Sequence, residues 1–320
     1  MKFFVTGGSG FIGRALCRAL VGRGDEVIVL TRNARLHIPG VKILVGDVHE
    51  WCGELPAQLQ DVDVIVNCMG EISSESKMYS LHVAGTRKVI DSFLNSSKEN
   101  NRPIHIVQLS SVGAYGMVSR SNGHKIIVDE KDFPCPVGLY EVTKTVADEI
   151  IVSYCAAEPA LSYTIVRPTN VVGHDMSNQS FRQLSQVVRR GLFFYIADKQ
   201  SIANYIHVED VVRALVLCAL DERAKNKTYI VSNDCLLCEV VDAMADFHKV
   251  KAPALVVPEK LVRVFTALCS HIPKFPLKKS RVDALVSRVE YSSALIRREL
   301  GFNASFSIPS SISSILAHQQ

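Results

Sequence analysis

The stretch Lys2-Phe-Phe-Val-Thr-Gly-Gly-Ser-Gly-Phe-Ile-Gly13 decides the fold. It joins a short apolar run, Lys2–Thr6, through a glycine-rich turn to an amphipathic segment, Phe11–Arg23. This order predicts a strand, a tight turn and a helix. Glycine lets the backbone turn tightly and approach a pyrophosphate closely, and an anion held there rests on the free N–H groups of the helix. We therefore predict a dinucleotide-binding turn.

Beyond this turn, the first half of the chain alternates β-branched runs with helical patterns. That alternation is typical of a parallel sheet built from βαβ units, and the uninterrupted apolar runs indicate strands covered on both faces. We predict an α/β fold with a doubly wound parallel sheet (Rossmann). Its strands after Lys2–Thr6 are Glu26–Leu30, Val41–Val45, Val62–Asn67, Ile104–Leu109 and Leu161–Val166, with helices near Lys77–Lys98 and from Tyr140 to about Ala157.

After Arg167-Pro168 the pattern becomes irregular. We expect a dinucleotide-binding domain at residues 1–170, joined by residues 202–232, where Ile202–Val208 and Val211–Leu220 predict one more strand and helix of the main sheet. Residues 171–201 and 233–320 are expected to form a smaller, mostly helical substrate-binding lobe.

One segment of this lobe, Pro258–Ile272, has an apolar stripe at helical spacing. The stripe consists of Leu261, Val262, Phe265, Leu268 and Cys269, with Lys260 and Arg263 nearby. Such a stripe is found on helices that lie on membrane surfaces and, more often, on helices that face a core. We expect this one to face the core of the lobe.

Composition excludes several classes of function. The 320 residues carry a net charge of only +4, with Lys and Arg dispersed apart from Pro276–Arg281, so no nucleic-acid partner is expected. No apolar run approaches the ~20 residues of a membrane span. Nine cysteines scattered through apolar segments predict reduced thiols in a cytoplasmic protein. Cys235-Leu-Leu-Cys238 has no second pair, so no metal site is expected.

The motif Tyr140-Glu-Val-Thr-Lys144 carries chemistry. Residues four apart share one face of a helix, so Tyr140 and Lys144 can point into one cleft. A tyrosine with a reference pKa near 10 is a poor acid–base group at neutral pH, and an adjacent ammonium is expected to lower that pKa. Ser110 and Ser111 end a strand at the edge where ligands bind in open α/β sheets, so they are candidates to hold a substrate oxygen.

The end of the second strand indicates which cofactor is bound. A carboxylate there hydrogen-bonds the ribose 2′-OH of NAD, whereas this chain has Leu30-Thr-Arg-Asn-Ala-Arg35. The Arg32 guanidinium suits a 2′-phosphate, and Arg14 can add positive charge. These residues favour NADP over NAD.

Further motifs accompany the glycine turn and the Tyr140–Lys144 pair. They are Gly46-Asp-Val48, Ser110-Ser-Val-Gly-Ala-Tyr-Gly116, Arg167-Pro-Thr-Asn-Val-Val-Gly173, Asn204-Tyr-Ile-His-Val-Glu-Asp210 and Arg298-Glu-Leu-Gly-Phe302. With them, nearly the whole chain resembles the extended short-chain dehydrogenase/reductases, especially the NAD(P)-dependent epimerase/dehydratase group acting on nucleotide sugars.

The resemblance implies that Tyr140 is the catalytic acid/base, that Lys144 activates it and that Ser111 holds the substrate hydroxyl. Substrate contacts are also expected from Asn170 and Arg281. A homodimer formed through long helices is implied as well. The expected cofactor site, Arg32 included, consists of Gly7, Gly10, Phe11, Ile12, Gly13, Arg32, Asp47, Val48, Met69, Gly70, Tyr140, Lys144, Pro168 and Val171.

The chain departs from the family pattern at three positions. His82 stands where the family has an asparagine, so a supporting hydrogen bond must be made differently. His174 replaces a proline. Ala203 falls where many UDP-sugar epimerases place an arginine, which argues against an ordinary UDP-hexose 4-epimerase.

Three functions are compatible with these residues. The first is hydride transfer at a ring carbon of a nucleotide sugar, as a 4-keto-sugar reductase or a 4-epimerase. The second is NADPH-dependent reduction of a non-nucleotide carbonyl, flavonoid- or steroid-like. The third is a non-enzymatic dinucleotide sensor, which the presence of Ser111, Tyr140 and Lys144 disfavours. We therefore expect an enzyme.

Overall fold

The computed structural model describes residues 1–51, 55–100, 102–116, 124–176, 179–269 and 277–317. The strands are β1 (Lys2–Thr6), β2 (Glu26–Thr31), β3 (Val41–Val45), β4 (Val64–Asn67), β5 (Ile104–Leu109), β6 (Ile126–Val128), β7 (Leu161–Pro168), β8 (Asn170–Val172), β9 (Tyr195–Ile196), β10 (Ile202–Ala203), β11 (Tyr205–His207), β12 (Lys227–Val231), β13 (Cys235–Leu236), β14 (Val256–Val257) and β15 (Val289–Tyr291). The α-helices are α1 (Phe11–Gly22), α2 (Glu75–Tyr79), α3 (Thr86–Asn100), α4 (Leu139–Ala157), α5 (Ser180–Arg189), α6 (Val208–Leu220), α7 (Leu237–His248), α8 (Glu259–Leu268), α9 (Lys279–Leu285), α10 (Ala294–Leu300) and α11 (Ile308–Leu316).

A seven-stranded parallel sheet in the order β12-β7-β5-β4-β1-β2-β3 forms the centre of the molecule. Successive side chains of a strand point to opposite faces, and both faces are buried here. Phe3 and Val5 join the core cluster that includes α1 and α6, whereas Phe4 joins the cluster that includes α3 and α4. The two layers of helices confirm the doubly wound α/β fold.

The seventh strand of the sheet differs from the prediction. Ile202–Val208 does not enter the main sheet, because it divides into β10 and β11, which pair with β13 and β8 in two small sheets. The strand that returns to the main sheet is β12, which pairs in parallel with β7. The strand that joins the main sheet thus follows α6, at a distance of six residues, rather than preceding it.

The predicted helix Lys77–Lys98 is interrupted. It consists of α2, a π-helical segment at Ser80–Gly85 and α3. Segments of π-helix are rare and often occur at functional sites. This one brings His82 to the end of β4.

Part of the chain beyond residue 232 packs on the main sheet rather than in the lobe. Ile296 and Leu300 of α10, with Phe302, belong to the same core cluster as β1 and α1. The Glu299 carboxylate accepts hydrogen bonds from Lys227 Nζ (2.7 Å) and Tyr229 Oη (2.8 Å) on β12. The remaining lobe has its own core between α5, α7 and α11.

The expectation that the apolar stripe of 258–272 faces the core is wrong. Along α8 only Val262 and Thr266 are buried, and Leu261, Phe265 and Leu268 are exposed. Residues 270–272 of the predicted segment, like residue 178 of the helical region before α5, lie outside the described residues. Within the described part of the chain, no helix is both long and apolar enough to span a membrane.

Candidate active site

The glycine turn between β1 and α1 has the backbone that its sequence predicts. Gly7 has φ +68°, and a Cβ on it would collide with the carbonyl oxygen of Cys68 at the end of β4. A Cβ on Gly13 would collide with the carbonyl oxygen of Gly7. The turn closes through a hydrogen bond from Gly10 N to Gly7 O at 3.0 Å. Only glycine fits at Gly7 and Gly13, so the turn can come close to a pyrophosphate.

A cavity of about 420 Å³ runs from this turn along the carboxyl ends of β1, β2 and β4. Its volume lies in the range of small-molecule sites, and these strand ends are where ligands bind in open α/β sheets. Seven predicted cofactor residues line it: Gly7, Gly10, Arg32, Asp47, Val48, Met69 and Gly70. Six further lining residues belong to the same motifs: Thr6, Ser9, Leu30, Thr31, Asn33 and Gly46. Cys68 and Leu81 complete the lining, and the sequence did not single them out.

The other predicted cofactor residues lie outside this cavity. Phe11 packs against Gly173, where an added Cβ would lie 3.0 Å from its ring. Ile12 and Val171 pack on the first core cluster, and Pro168 is buried at the end of β7. These positions continue the carboxyl edge of the sheet from the cavity toward the substrate lobe.

Arg32 follows β2 and is a positively charged residue in the lining of the cavity. Its side chain is 73% exposed, and Nη1 lies 3.8 Å from Asp47 Oδ2. The other oxygen of Asp47 accepts a hydrogen bond from His49 N at 3.0 Å. Arg14 instead bonds the Ser9 carbonyl at 2.8 Å, and Arg35 does not line the cavity. The ion pair between Arg32 and Asp47 has a long N–O distance and is exposed to solvent, so it is weak. The Arg32 guanidinium can therefore leave Asp47 and bind a phosphate.

Tyr140 and Lys144 lie in the first two turns of α4, a helix that packs against the sheet. Lys144 is 4% exposed, and its Nζ donates a hydrogen bond to the carbonyl of Met69 at 3.1 Å. Because Met69 lines the cavity, Lys144 reaches the carboxyl end of β4. The half-buried Tyr140 ring packs edge-on against His82, with ring centroids 5.5 Å apart.

The expected lowering of the tyrosine pKa is not found among the protein's own groups. Burial, with the carboxylates of Glu141 and Asp148, raises the pKa of Tyr140 to about 12. Burial also lowers the pKa of Lys144, against the attraction of Asp148. Tyr140 is therefore protonated at neutral pH.

Ser111 follows β5 and caps a short 3₁₀ turn, Val112–Tyr115, where its Oγ accepts a hydrogen bond from Gly113 N at 3.1 Å. Gly113 packs on α4 so closely that a Cβ there would lie 2.6 Å from Glu141 Cγ. Glu141 is the neighbour of Tyr140, so this contact brings Ser111 close to the first turn of α4. The structure thus brings together the three predicted catalytic residues at one strand edge.

The two remaining substrate candidates are engaged with protein groups. Asn170 Nδ2 donates to the carbonyl of Asn204 at 3.1 Å, and Arg281 Nη2 donates to Gln183 Oε1 at 3.0 Å. Cys235 and Cys238 are free thiols. Among the described residues, no group of three or more His, Cys, Asp or Glu side chains is placed to hold a metal ion.

A buried ion pair supports the site, and the sequence did not reveal it. Asp148, four residues after Lys144, accepts hydrogen bonds from Ser110 Oγ (2.7 Å) and Arg167 Nη2 (3.1 Å). The Arg167 guanidinium also lies over the Tyr115 ring, 5.1 Å from its centroid. Burial raises the pKa of Asp148, whereas Arg167 lowers it most among the neighbouring groups. The available signal in the sequence was the position of Asp148, which is four residues after Lys144 and so lies on the same face of the helix.

His82, at the position where the family pattern has an asparagine, is hydrogen-bonded on both sides of its ring. Its Nε2 accepts a hydrogen bond from Glu71 N at 2.8 Å, so the proton of the neutral ring is on Nδ1. Nδ1 therefore donates to Thr143 Oγ1, at 2.8 Å, and Thr143 is next to Lys144 on α4. Burial, with the Lys144 ammonium, lowers the pKa of His82 to about 4. His82 thus connects the loop after β4 to α4, the helix that carries Tyr140 and Lys144.

We expect His82 to make the protein sensitive to acid. Since its folded-state pKa lies below the unfolded value, the unfolding free energy falls as pH decreases from 6.5 to about 4, by up to about 3 kcal/mol. Urea unfolding across this window should show a shallower fall for His82→Asn than for the wild type. His105, whose pKa burial also lowers to about 4, is expected to contribute to the fall that remains.

The exposed His37 offers the control for this experiment. His37→Asn is expected to have the pH profile of the wild type. An identical profile for His82→Asn would contradict the role assigned to His82.

Comparison with known proteins agrees with this geometry. The sequence profile of the NAD dependent epimerase/dehydratase family matches residues 3–232. The dTDP-6-deoxy-L-talose 4-dehydrogenase (NAD(P)(+)) of Kitasatospora kifunensis is 27% identical over 232 residues, 69% of this chain and 70% of that protein. Sterol demethylase protein B of Methylococcus capsulatus is 26% identical over 323 residues, 94% of this chain and 93% of that protein.

A solved structure shows the same fold. The UDP-glucose 4-epimerase of Thermotoga maritima has a TM-score of 0.71 at 17% identity, over 99% of this chain and 98% of that chain. The family match extends over more than two thirds of the chain and includes the glycine turn, the cavity and the Tyr140–Lys144 pair. The chain therefore belongs to the NAD dependent epimerase/dehydratase family and is an NAD(P)-dependent enzyme.

Proposed function

We propose that the protein is an NADP(H)-dependent oxidoreductase that interconverts a hydroxyl and a keto group on its substrate. The observation that carries this proposal is that Lys144 Nζ reaches the carbonyl of Met69 in the cavity lining, with Tyr140 one turn earlier on the same helix and Ser111 at the end of β5. The family membership of the chain supports it.

Each side chain has a distinct part in this reaction. Tyr140 Oη, protonated at neutral pH, donates its proton to the substrate oxygen during reduction and takes it back during oxidation. Ser111 Oγ holds the same oxygen by a hydrogen bond. Lys144 keeps α4 against the end of β4 and places a positive charge beside the site. The nicotinamide cofactor, when bound by the glycine turn and cavity, supplies or accepts the hydride.

Arg32 is proposed to select NADP. A charge-assisted bond to a 2′-phosphate contributes about 1.5–3 kcal/mol, or roughly 10- to 150-fold in affinity. We expect Arg32→Ala to weaken NADPH binding by about this factor and to leave NADH binding within about twofold, as measured by calorimetric titration.

The matched control is Arg35→Ala, three residues away and outside the cavity, which is expected to leave both affinities unchanged. A wild type that prefers NADH, together with an Arg32→Ala variant that changes neither affinity, would contradict this assignment.

Two substrate classes are supported by different observations. A nucleotide sugar, reduced as a 4-keto-sugar or epimerised at C4, is the class named by the talose dehydrogenase relative and indicated by the sequence motifs. A sterol-like alcohol or ketone is the second candidate. A sterol demethylase protein is among the relatives that also align over the substrate lobe, and Ala203, at the position of the epimerase arginine, is buried in β10.

One experiment distinguishes the classes. The purified protein is incubated with UDP-, GDP- and dTDP-sugars, their 4-keto forms, and a set of hydroxy- and keto-sterols, while NADPH absorbance is followed. Net epimerisation leaves the absorbance constant, so sugar products are also analysed by chromatography. Turnover of a sugar supports the first class and turnover of a sterol the second. No turnover in any arm, with NADPH bound, would contradict the proposed function.

A further inference from the structure

Helix α8 exposes an apolar stripe of unusual extent. Leu261, Val264, Phe265 and Leu268 are 62%, 59%, 56% and 74% exposed. They occupy positions i, i+3, i+4 and i+7, which lie on one face of a helix. Immediately before the helix, Leu255 and Val256 on the edge of the lobe are exposed as well. A run of apolar side chains of this kind on one face marks an interaction site.

This stripe is not the core face of the helix. The core face is occupied by Val262, which packs with Ile196 and Val282, and by the buried Thr266. The helix is therefore anchored to the lobe on one side and presents its second apolar side outward. An ion pair also joins it to α9, because Arg263 Nη1 binds Asp283 at 2.9 Å.

Positive charge surrounds the stripe. Residues 251–285 contain seven Lys and Arg and two Asp and Glu, a net charge of +5 in a chain whose total is +4. Both acids of the segment, Glu259 and Asp283, bind Arg263, at 2.6 and 2.9 Å. Lys260 on α8, and Lys278 and Lys279 at the start of α9, which packs on α8, are exposed. The outward charge of this surface is positive.

We propose that α8 lies flat on an anionic lipid bilayer, with its apolar stripe at the boundary between headgroups and acyl chains. An apolar helical face bordered by lysines is the pattern of interfacial helices, and juxtamembrane Lys and Arg are attracted by anionic headgroups. A second copy of the chain fits this surface poorly, because a symmetric contact would bring two segments of net charge +5 together. The docking surface consists of Lys260, Leu261, Val264, Phe265, Leu268, Lys278 and Lys279.

Vesicle co-sedimentation with the full chain tests this proposal. We expect the protein to bind vesicles of phosphatidylcholine mixed with phosphatidylserine about a hundredfold more strongly than vesicles of phosphatidylcholine alone, at about fivefold for each of the three lysines. Added salt should reduce this preference. Binding of the wild type to neither vesicle would overturn the proposal, as would equal binding to both.

Two variants separate the apolar and the electrostatic contributions. Leu261→Gln combined with Leu268→Gln removes two exposed side chains and is expected to reduce binding to anionic vesicles at least tenfold. The triple substitution of Lys260, Lys278 and Lys279 by Gln is expected to abolish the preference for anionic lipid. Phe133→Gln, a change at an exposed phenylalanine outside this surface, is the control and should bind as the wild type does.

All variants change exposed side chains, so their thermal unfolding and NADPH binding should match those of the wild type, which shows that they fold. A wild-type dimer that Leu261→Gln with Leu268→Gln converts to monomer, without vesicle binding by either form, would overturn the proposal in favour of self-association. Unchanged vesicle binding by the apolar double variant would overturn it as well.

Discussion

Tyr140→Phe is expected to lower the turnover number by about 10²- to 10⁴-fold, the range for loss of a general acid–base group. The substitution removes only the hydroxyl, so the ring keeps its edge-on packing against His82. Binding of NADPH should therefore remain within a few fold of the wild type. Because Tyr140 is protonated at neutral pH, the loss appears in the reductive direction at pH 7, where the hydroxyl gives up its proton.

The control for this variant lies on the same helix. Tyr154 lies near the C-terminal end of α4, and its Oη donates a hydrogen bond to Asp91 on α3 at 2.6 Å. Tyr154→Phe should therefore leave turnover unchanged. Stopped-flow measurement of NADPH oxidation with a confirmed substrate gives the rate of the chemical step for both variants. Equal rates for Tyr140→Phe and the wild type would remove Tyr140 from the mechanism.

Asp148→Asn is expected to lower the free energy of unfolding by about 3–5 kcal/mol, the cost of breaking a buried ion pair by removing one partner. The change leaves the buried charges of Arg167 and Lys144 without their carboxylate, and it alters the bond from Ser110 Oγ. Turnover should fall as well, since Lys144 loses the group that opposes the lowering of its pKa by burial. Urea unfolding measures the first effect and the pH profile of turnover the second.

The neighbouring Glu149 is exposed on the same helix, so Glu149→Gln is the control and should change the unfolding free energy by less than about 0.5 kcal/mol. The double variant Asp148→Leu with Arg167→Met removes both charges. Its loss should be smaller than the sum of the two single losses, because neither partner is left unpaired. Additive losses would show that the two side chains act independently.

The parts of the site that local pattern determines could be predicted from the sequence. A turn that needs glycine at Gly7 and Gly13 is visible in a dozen residues, and the spacing of Tyr140 and Lys144 on one helix needs no tertiary information. The strands of the main sheet up to β7 follow from continuous apolar runs.

Other features depend on how distant segments meet. Asp148 lies on α4 and Arg167 on β7, and neither segment has a sequence pattern that identifies the other residue as its ion-pair partner. His82 binds Glu71 and Thr143 because a π-helical segment turns it toward both, and such a segment has no simple sequence signal. The stripe on α8 has the same periodicity whether it faces a core or the outside, so periodicity alone could not show that Leu261 and Leu268 are exposed.

The return of α10 to β12 has a consequence for synthesis of the chain. The family-matched region ends at residue 232, yet Ile296, Leu300 and Phe302 complete its hydrophobic core and Glu299 pairs with Lys227 on its last strand. A ribosome releases these residues only after α5, α7, α8 and α9 of the substrate lobe have emerged. The nucleotide-binding half therefore cannot finish folding first, and a fragment truncated at residue 232 would expose apolar surface on its outer strand.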